Sequence, residues 1–402
     1  MIVIDLFFWI SGVLVLGIVA YLWFLAAASF LPARKQAQPR EPAPRTKFAI
    51  LVPAHNEAGV IEQTLDSTGR LDYPQELFET MVIADNCTDQ TATLASDAGV
   101  TVLERHNPDQ RGKGFALQWA FEKLQKNKRF EHFDAFVIVD ADTIFEQGFL
   151  KAMDARMANG ERAVQGYYDV LNPAGSPMAS LSYLGFALNR NLKYVGRTKL
   201  GWSSNLLGNG MCFAKEVIRR FGWNATSIVE DMEYAVMLRL CGVAIRFAPE
   251  ARVYAAIPDT FSGSRVQRSR WDIGRFQVRN KYIKRLTKEA VKNRDIGYLD
   301  TVMELIIPPF SLFVALSFLL FGLFLATHMS DFGALSRLWF TTAVALFGYI
   351  ALGLITAKAN WKTYSNLVYA PFFLLWRVGT IVWGYVHKVG REWIKTERKN
   401  IL

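Results

Sequence analysis

Hydrophobic and polar positions along the chain fall into three regimes. Residues 6–33 carry no charge at all. Residues 48–258 alternate short apolar runs with amphipathic stretches, each run ending in polar residues. Beyond residue 300 long apolar stretches return at 305–327, 338–357 and 367–386, the last with Arg377 near its middle. Crossing a bilayer core takes about 20 apolar residues, so 6–33, 305–327 and 338–357 are expected to span one, with a kink at Pro308-Pro309. A cleaved signal peptide would also begin with an apolar run, and Ala26-Ala27-Ala28 offers small residues for cleavage. Only Asp5 precedes the run, with no Lys or Arg, and the run is long for such a segment. A retained anchor over 1–33 is the reading.

Residues 34–47 are rich in Pro and basic residues and read as an extended linker. A domain over 48–260 follows. Strands are expected at 48–53, 80–84, 100–104 and 136–139, with helices at 60–70, 88–98 and from Arg111-Gly112-Lys113-Gly114 to about 124. Apolar strands alternating with helices argue α/β, a mostly parallel, doubly wound sheet of Rossmann-like layout. The first strand ends in Pro-Ala-His-Asn-Glu without Gly-x-Gly-x-x-Gly, which argues against a bound dinucleotide. Further on, a strand at 162–170 precedes a helix over 177–195. Short strands at 244–247 and 253–256 close the domain.

Between residues 265 and 294 lie eleven Lys or Arg and only two acids, Asp272 and Glu289, interleaved with Trp271, Ile273, Phe276 and Tyr282. Amphipathic helices over 261–300, lying on an anionic membrane surface, are expected. Such helices also suit nucleic acid, but the apolar stretches on either side argue for the bilayer. The turn near 328–337 has one Arg, and the tail after His387 carries five Lys or Arg. With positive charge inside, three spans are consistent and four are not. Residues 367–386 are therefore a re-entrant or interface helix within a C-terminal region of 301–402. The N-terminus then lies outside and the domain is cytoplasmic, on a multi-pass protein of the inner (cytoplasmic) membrane.

Hydrophobic residues make up 51% of the 402 residues, and the formal net charge is +10. The excess of basic charge favours a polyanionic partner such as anionic lipid or a nucleotide diphosphate. Cys87, Cys212 and Cys241 show no zinc or disulfide spacing and are read as reduced thiols.

Candidate chemistry clusters where the strands end. Phe136-Val137-Ile138-Val139 runs into Asp140-Ala141-Asp142. If the backbone stays extended, i and i+2 share a side, and two carboxylates would meet one Mg²⁺ or Mn²⁺ whose other ligands are waters and phosphate. A solvated loop with one Asp capping the next helix is the competing account. Pro53, His55, Asn56 and Glu57 close the first strand, Asp85 the second, and Lys113 opens a helix. Strand C-terminal ends share one edge, so these groups should converge on a nucleotide diphosphate. Leu207-Gly208-Asn209-Gly210 is a small-residue turn for close backbone approach. Glu230 and Asp231 begin a helix over 232–240. Gln267, Arg270 and Trp271 share one helix face. There the Arg can grip a diphosphate and the Trp can carry a sugar ring, or the helix is a plain interface helix with Trp at headgroup depth.

The set Pro53-Ala54-His55-Asn56-Glu57, Asp85, Gly112-Lys113-Gly114, Asp140-Ala141-Asp142, Glu230-Asp231 and Gln267-x-x-Arg270-Trp271 resembles the membrane-integrated family 2 glycosyltransferases of GT-A fold. These include the cellulose, hyaluronan, chitin and poly-N-acetylglucosamine synthases and ceramide glucosyltransferase. The resemblance covers residues 48–286. It implies an inverting, metal-dependent hexosyl transfer from a UDP-sugar to a glycan or lipid-linked acceptor hydroxyl. It also implies Asp140 and Asp142 on metal and diphosphate, and Asp85 with His55-Asn56-Glu57 on the nucleoside. Asp231 would be the base, with Glu230 its nearest substitute; Arg270 would lie on the diphosphate and Trp271 on the acceptor sugar. The chain departs from the pattern in three places. Asp85 is followed by Asn86, not a second Asp; Val229 stands where synthases often have Thr; and Leu207-Gly208-Asn209-Gly210 replaces a Cys-Gly or Ser-Gly turn. The expected product is a β-linked exopolysaccharide or oligosaccharide. The alternatives are a single addition to a ceramide, diacylglycerol or polyprenyl lipid and, behind both, an inactive scaffold. The lipid bilayer is an expected partner, with room for a homo-oligomer or a membrane partner, and nucleic acid is not expected.

Overall fold

The computed structural model describes residues 2–32, 44–258, 260–328 and 333–387. Most of the basic linker, residues 329–332 and the basic tail lie outside the described residues. In chain order the elements are α1 (Ile2–Ser29), β1 (Phe48–Ala54), α2 (Ile61–Gly69), β2 (Phe78–Asp85), α3 (Thr91–Asp97), β3 (Thr101–Arg105), α4 (Lys113–Lys126), β4 (Ala135–Ile138), β5 (Ile144–Phe145), α5 (Phe149–Ala158), β6 (Ala163–Val170), α6 (Pro177–Leu188), α7 (Val195–Leu200), β7 (Met211–Ala214), α8 (Lys215–Phe221), α9 (Glu230–Leu240) and β8 (Ile245–Ala255). They are followed by α10 (Phe261–Asn293), α11 (Ile296–Ile306), α12 (Phe310–His328), α13 (Ala334–Ala357), α14 (Trp361–Ser365) and α15 (Ala370–Val386).

The eight strands form one sheet in the order β3-β2-β1-β4-β7-β6-β8-β5. β3, β2, β1 and β4 are parallel, and β6 and β8 are parallel to each other. β7 runs against both β4 and β6, and β5 runs against β8. The sheet is therefore mostly parallel, with two reversed strands that the alternation of runs does not reveal. Met211 of β7 pairs with Ile138, the last residue of β4. The turn before β7 thus starts at the edge where β4 ends, and the strand has nowhere to go but back. The parallel strands read as unbroken apolar runs because both faces are covered. One face packs on α4, α8 and α9 through Leu117, Phe121, Phe136 and Tyr234; the other packs on α2 and α5 through Ile61, Leu65, Val137 and Leu150.

Two expected strands at 244–247 and 253–256 are one strand, β8. Ala248 pairs with Gly166 and Arg252 with Tyr167, so residues 249–251 have no counterpart on β6. Pro249 has no N–H to give the ladder, which places the irregularity there. The helix expected over 177–195 continues to residue 200 through a π-helical stretch, Asn189–Tyr194.

α1, α12 and α13 are long and apolar enough to cross a membrane. At about 1.5 Å per residue α1 is roughly 42 Å long, against a hydrocarbon core of about 30 Å. Its indole and backbone groups lock it to α13: Trp23 Nε1 donates to Ala345 O at 2.9 Å, and Trp339 Nε1 donates to Phe8 O at 3.2 Å. Pro308-Pro309 breaks the chain into α11 and α12 rather than kinking one helix. Ile307 is extended, as a residue before proline tends to be. The basic stretch after residue 260 is a single helix, α10, 33 residues long and capped by Thr260.

Two buried ionic clusters brace this part, and the first also ties it to the sheet domain through α7. Arg197 of α7 contacts Asp300 at 3.0 Å and Glu304 at 2.8 Å, and Tyr21 of α1 donates to Asp300 at 2.6 Å. Lys193 and Arg275 also reach Glu304, at 2.9 and 3.4 Å. Those cations, burial notwithstanding, hold the Glu304 carboxyl far below the usual range. In the second cluster Arg377 of α15 makes two 2.7 Å contacts to Asp272 of α10.

Candidate functional site

The parallel strands end on one edge, and a cavity of about 680 Å³ opens there. Pro53, His55 and Glu57 line it from the end of β1, Asp85 from β2, and Asp140 from the loop after β4. Lys113 enters at the start of α4, where Gly112 at φ +121 turns the chain into the helix. Its Nζ donates to Asp140 Oδ1 at 2.6 Å and also to the Gly208 carbonyl. Burial works against the ammonium, but Asp140, Glu230 and Asp231 together hold its pKa above the ordinary lysine value. His55 Nδ1 donates to the Asp85 carbonyl at 2.7 Å, which ties the end of β1 to the end of β2.

Glu230 and Asp231 line the same cavity from the first turn of α9. Asp231 Oδ1 accepts from the Met232 N–H at 2.7 Å. Burial raises both carboxyls. For Glu230, burial and then the charge of Asp231, against Lys113, bring the pKa to about 7. For Asp231 burial raises it, while the Met232 N–H and Lys113 oppose. A carboxyl such as Glu230, raised to about 7, exchanges its proton near neutrality, the property a proton-transfer group needs. Gly208, at φ +78, brings its backbone under Asp231: a Cβ there would sit 3.3 Å from Asp231 Oδ2.

α10 forms the wall opposite the strand ends. Gln267, Arg270 and Trp271 line the cavity from it. Gly274 allows the close approach, since a Cβ there would meet the Val229 methyls at 2.6 and 2.7 Å. The helix therefore sits directly on the chain leading into Glu230 and Asp231.

A second cavity, of about 250 Å³, lies on the other side of α10, between α6, the π-helical stretch, the start of α12 and α15. Tyr168, Leu207, Val229, Asp231 and Trp271 line both cavities. Asp231 and Trp271 thus stand where the two meet.

Three of the expected residues do not line the strand-end cavity. Asn56, at φ +55, accepts from the Thr88 N–H at 2.7 Å and shapes the loop after β2. Gly210, at φ +70, faces Val253. β4 stops at Ile138, and the chain is already turning at Ala141-Asp142, so the extended spacing does not hold and Asp142 is not in the wall. Sequence reasoning missed Arg105, the last residue of β3, whose guanidinium is buried against the Asp85 carboxylate and also reaches the Gln110 carbonyl. It missed Asn209 too, fully buried, whose Oδ1 accepts from Thr143 Oγ1 at 3.0 Å and from the Asp140 N–H at 3.3 Å. The signal for Arg105 was available: a lone basic residue ending the strand next to one that ends in Asp.

The described residues contain no cluster of three or more His, Cys, Asp or Glu suited to a metal. Asp140 in the cavity wall is a donor of the kind Mg²⁺ or Mn²⁺ takes singly, with phosphate oxygens and water completing the shell. The donor set fits an ion that arrives with a diphosphate.

A mostly parallel sheet with its cavity at the strand ends is the architecture of the GT-A glycosyltransferases. Residues 44–274 match the model of the glycosyltransferase like family 2, and the chain belongs to that family. Among curated proteins it is 26% identical to a probable glycosyltransferase, YdaM, of Bacillus subtilis over 379 residues, 88% of this chain and 87% of that one. It is 25% identical to the poly-beta-1,6-N-acetyl-D-glucosamine synthase of Staphylococcus aureus over 241 residues, 58% of this chain and 55% of the synthase. Among solved structures, the mannosyltransferase PcManGT of Pyrobaculum calidifontis, in complex with GDP-Man and Mn²⁺, matches in fold with a TM-score of 0.55 at 19% identity, over 95% of this chain and 98% of that one.

Proposed function

We propose that the protein is a membrane-bound, inverting glycosyltransferase that moves a sugar from a UDP-sugar to an acceptor hydroxyl and builds a β-linked exopolysaccharide or oligosaccharide. The observation that carries this reading is the meeting of two cavities at Asp231 and Trp271, one lined by strand ends, the other by membrane-side helices. Donor and acceptor approach from opposite sides of α10. His55, Glu57 and Asp85 face the nucleoside, and Lys113 and Arg270 face the diphosphate. Asp231 takes the acceptor proton as the hydroxyl attacks the anomeric carbon and UDP departs. Trp271 offers its ring face to the acceptor sugar. A divalent ion held by Asp140 would add positive charge beside the leaving diphosphate. The relationship to a poly-N-acetylglucosamine synthase supports a polymer product. The basic α10 supports placing the domain at the cytoplasmic face of the inner membrane.

A second reading, single addition to a lipid acceptor, is favoured by the position of the second cavity beneath α15, whose outer residues Phe372 and Leu375 are 58% and 74% exposed. Product size separates the two: a ladder of oligomers or one lipid-soluble product. The reaction itself is tested with purified protein, a panel of UDP-sugars and Mn²⁺. Wild type should release UDP. Asp231→Asn should bind donor as before while transfer falls by roughly 10²–10⁴-fold. Asp140→Ala should lose donor affinity and turnover together. Equal loss of donor affinity in both variants would remove Asp231 from the role of base.

A further inference from the structure

The second cavity holds an unbalanced charge. Four arginines line it, against two aspartates, Asp231 and Asp272. Three of the arginines are matched: Arg190 by Asp169, Arg275 by Glu304, and Arg377 by Asp272. Arg268 is not. It is buried, it donates to Ser182 Oγ, and its guanidinium lies 5.2 Å from the centre of the Phe373 ring. Among the described residues no carboxylate forms an ion pair with it. Asp272, one helical turn away, is occupied on both oxygens by Arg377. Burial and the nearby Arg377 pull the Arg268 pKa down to about 9. A buried cation without a counter-ion is costly unless something anionic joins it.

The placement is as specific as the charge. On α10, residues 268, 271, 272 and 275 form one stripe and 267, 270, 271 and 274 the adjacent one. The first stripe faces the second cavity, residues 267, 270 and 271 of the other face the strand-end cavity, and Trp271 belongs to both. Arg268 is therefore one turn of helix from the residue that stands between donor and acceptor sides. We infer that Arg268 forms an anion subsite for the acceptor, which carries a phosphate group that pairs with Arg268 in the second cavity while its hydroxyl side reaches Asp231. This deepens, and rests on, the reading of the protein as a glycosyltransferase. The phosphate belongs to a lipid headgroup or to a soluble phosphorylated acceptor, and the two share the same chemistry at Arg268.

The test uses full-length protein in a neutral detergent. Binding is measured for dioctanoyl phosphatidate, dioctanoylglycerol and glycerol 3-phosphate. The phosphatidate should bind at least about tenfold more tightly than the uncharged lipid, the scale of one hydrogen-bonded charge pair. Arg268→Gln should abolish that preference, and Arg268→Lys should restore most of it. Ser182→Asp, which gives Arg268 an internal carboxylate, should abolish it too and keeps the test decisive if Arg268→Gln fails to fold. Tight binding of phosphatidate alone assigns the subsite to a lipid; equal binding of glycerol 3-phosphate assigns it to a soluble acceptor. Equal binding of phosphatidate and dioctanoylglycerol by wild type, or an unchanged preference in folded Ser182→Asp, overturns the inference. UDP-sugar binding by wild type is measured alongside. If it is intact the glycosyltransferase reading survives that failure, and if it is absent that reading falls as well.

Discussion

Removing Arg377 should loosen the whole membrane-side wall of the site. Its guanidinium meets Asp272 through two 2.7 Å bonds, and the two side chains are 2% and 3% exposed. Its remaining donors reach Thr380 Oγ1 at 2.7 Å and Ser311 Oγ at 3.2 Å, so one side chain joins α15, α10 and α12. In Arg377→Met the stem keeps its volume and the charge goes, which leaves the Asp272 carboxylate buried without its partner. Breaking a buried pair from one side costs about 3–5 kcal/mol. Arg268, four residues from Asp272 on the same helix, can turn to it and hold the loss near the lower end of that range. About 3 kcal/mol is roughly a hundredfold in the ratio of folded to unfolded protein. Replacing both partners, Asp272→Leu with Arg377→Met, removes the stranded charge and should recover most of the loss. Denaturant titrations at fixed detergent, read by tryptophan fluorescence, give the three values. A single variant within about 0.5 kcal/mol of wild type would refute the reasoning, as would a double variant no better than the single.

Further predictions concern the reaction centre. The Glu230 carboxyl, raised from about 4.5 to about 7, keeps a proton in the folded chain that the unfolded chain gives up. Its contribution to stability is therefore largest at low pH and is lost as pH rises from about 4.5 through 7. Catalysis runs the other way: kcat/KM should rise with pH through the range near 7 where Glu230 gives up its proton, and a flat profile between pH 5 and 8 would contradict it. Gly274→Val should push α10 off Val229 and lower turnover together with about 1–3 kcal/mol of stability, measured by UDP release and thermal melting; unchanged activity would show that the close approach is dispensable. Stripping divalent ions with EDTA should abolish donor binding and Mn²⁺ should restore it, with calorimetry as the readout.

Much of the fold was legible because it rests on local signals. Apolar runs over 48–53, 80–84 and 136–138 are strands since each is buried on both faces, and their polar ends mark the site edge. The reversed direction of β7 was hidden, because a strand of four residues carries no record of its neighbours. Asp85 looked like a free ligand group since its partner Arg105 lies 20 residues away on another strand. Asp140-Ala141-Asp142 suggested two carboxylates on one side of an extended strand, and the turn at Ala141-Asp142 has no distinct composition. The second cavity could not be read at all, as its walls come from segments scattered between residues 168 and 377. Arg377 read as an oddity in an apolar stretch until its partner, 105 residues earlier, was placed beside it.

The ionic cluster that joins α1, α7, α10 and α11 also sets an order of manufacture. Tyr21 and Asp300 are 279 residues apart, and Arg197 and Asp300 are 103 apart. At about 5–20 residues per second, a ribosome needs roughly 5–20 seconds to go from the arginine to its first counter-ion. During that interval Arg197 and Lys193 have neither acid to pair with, and burying them would strand two cations. Docking the sheet domain on the N-terminal helix before α11 is made would carry that penalty. The seam is therefore expected to close only once residues 296–306 have been made, after α1 and the sheet domain and ahead of α12 and α13.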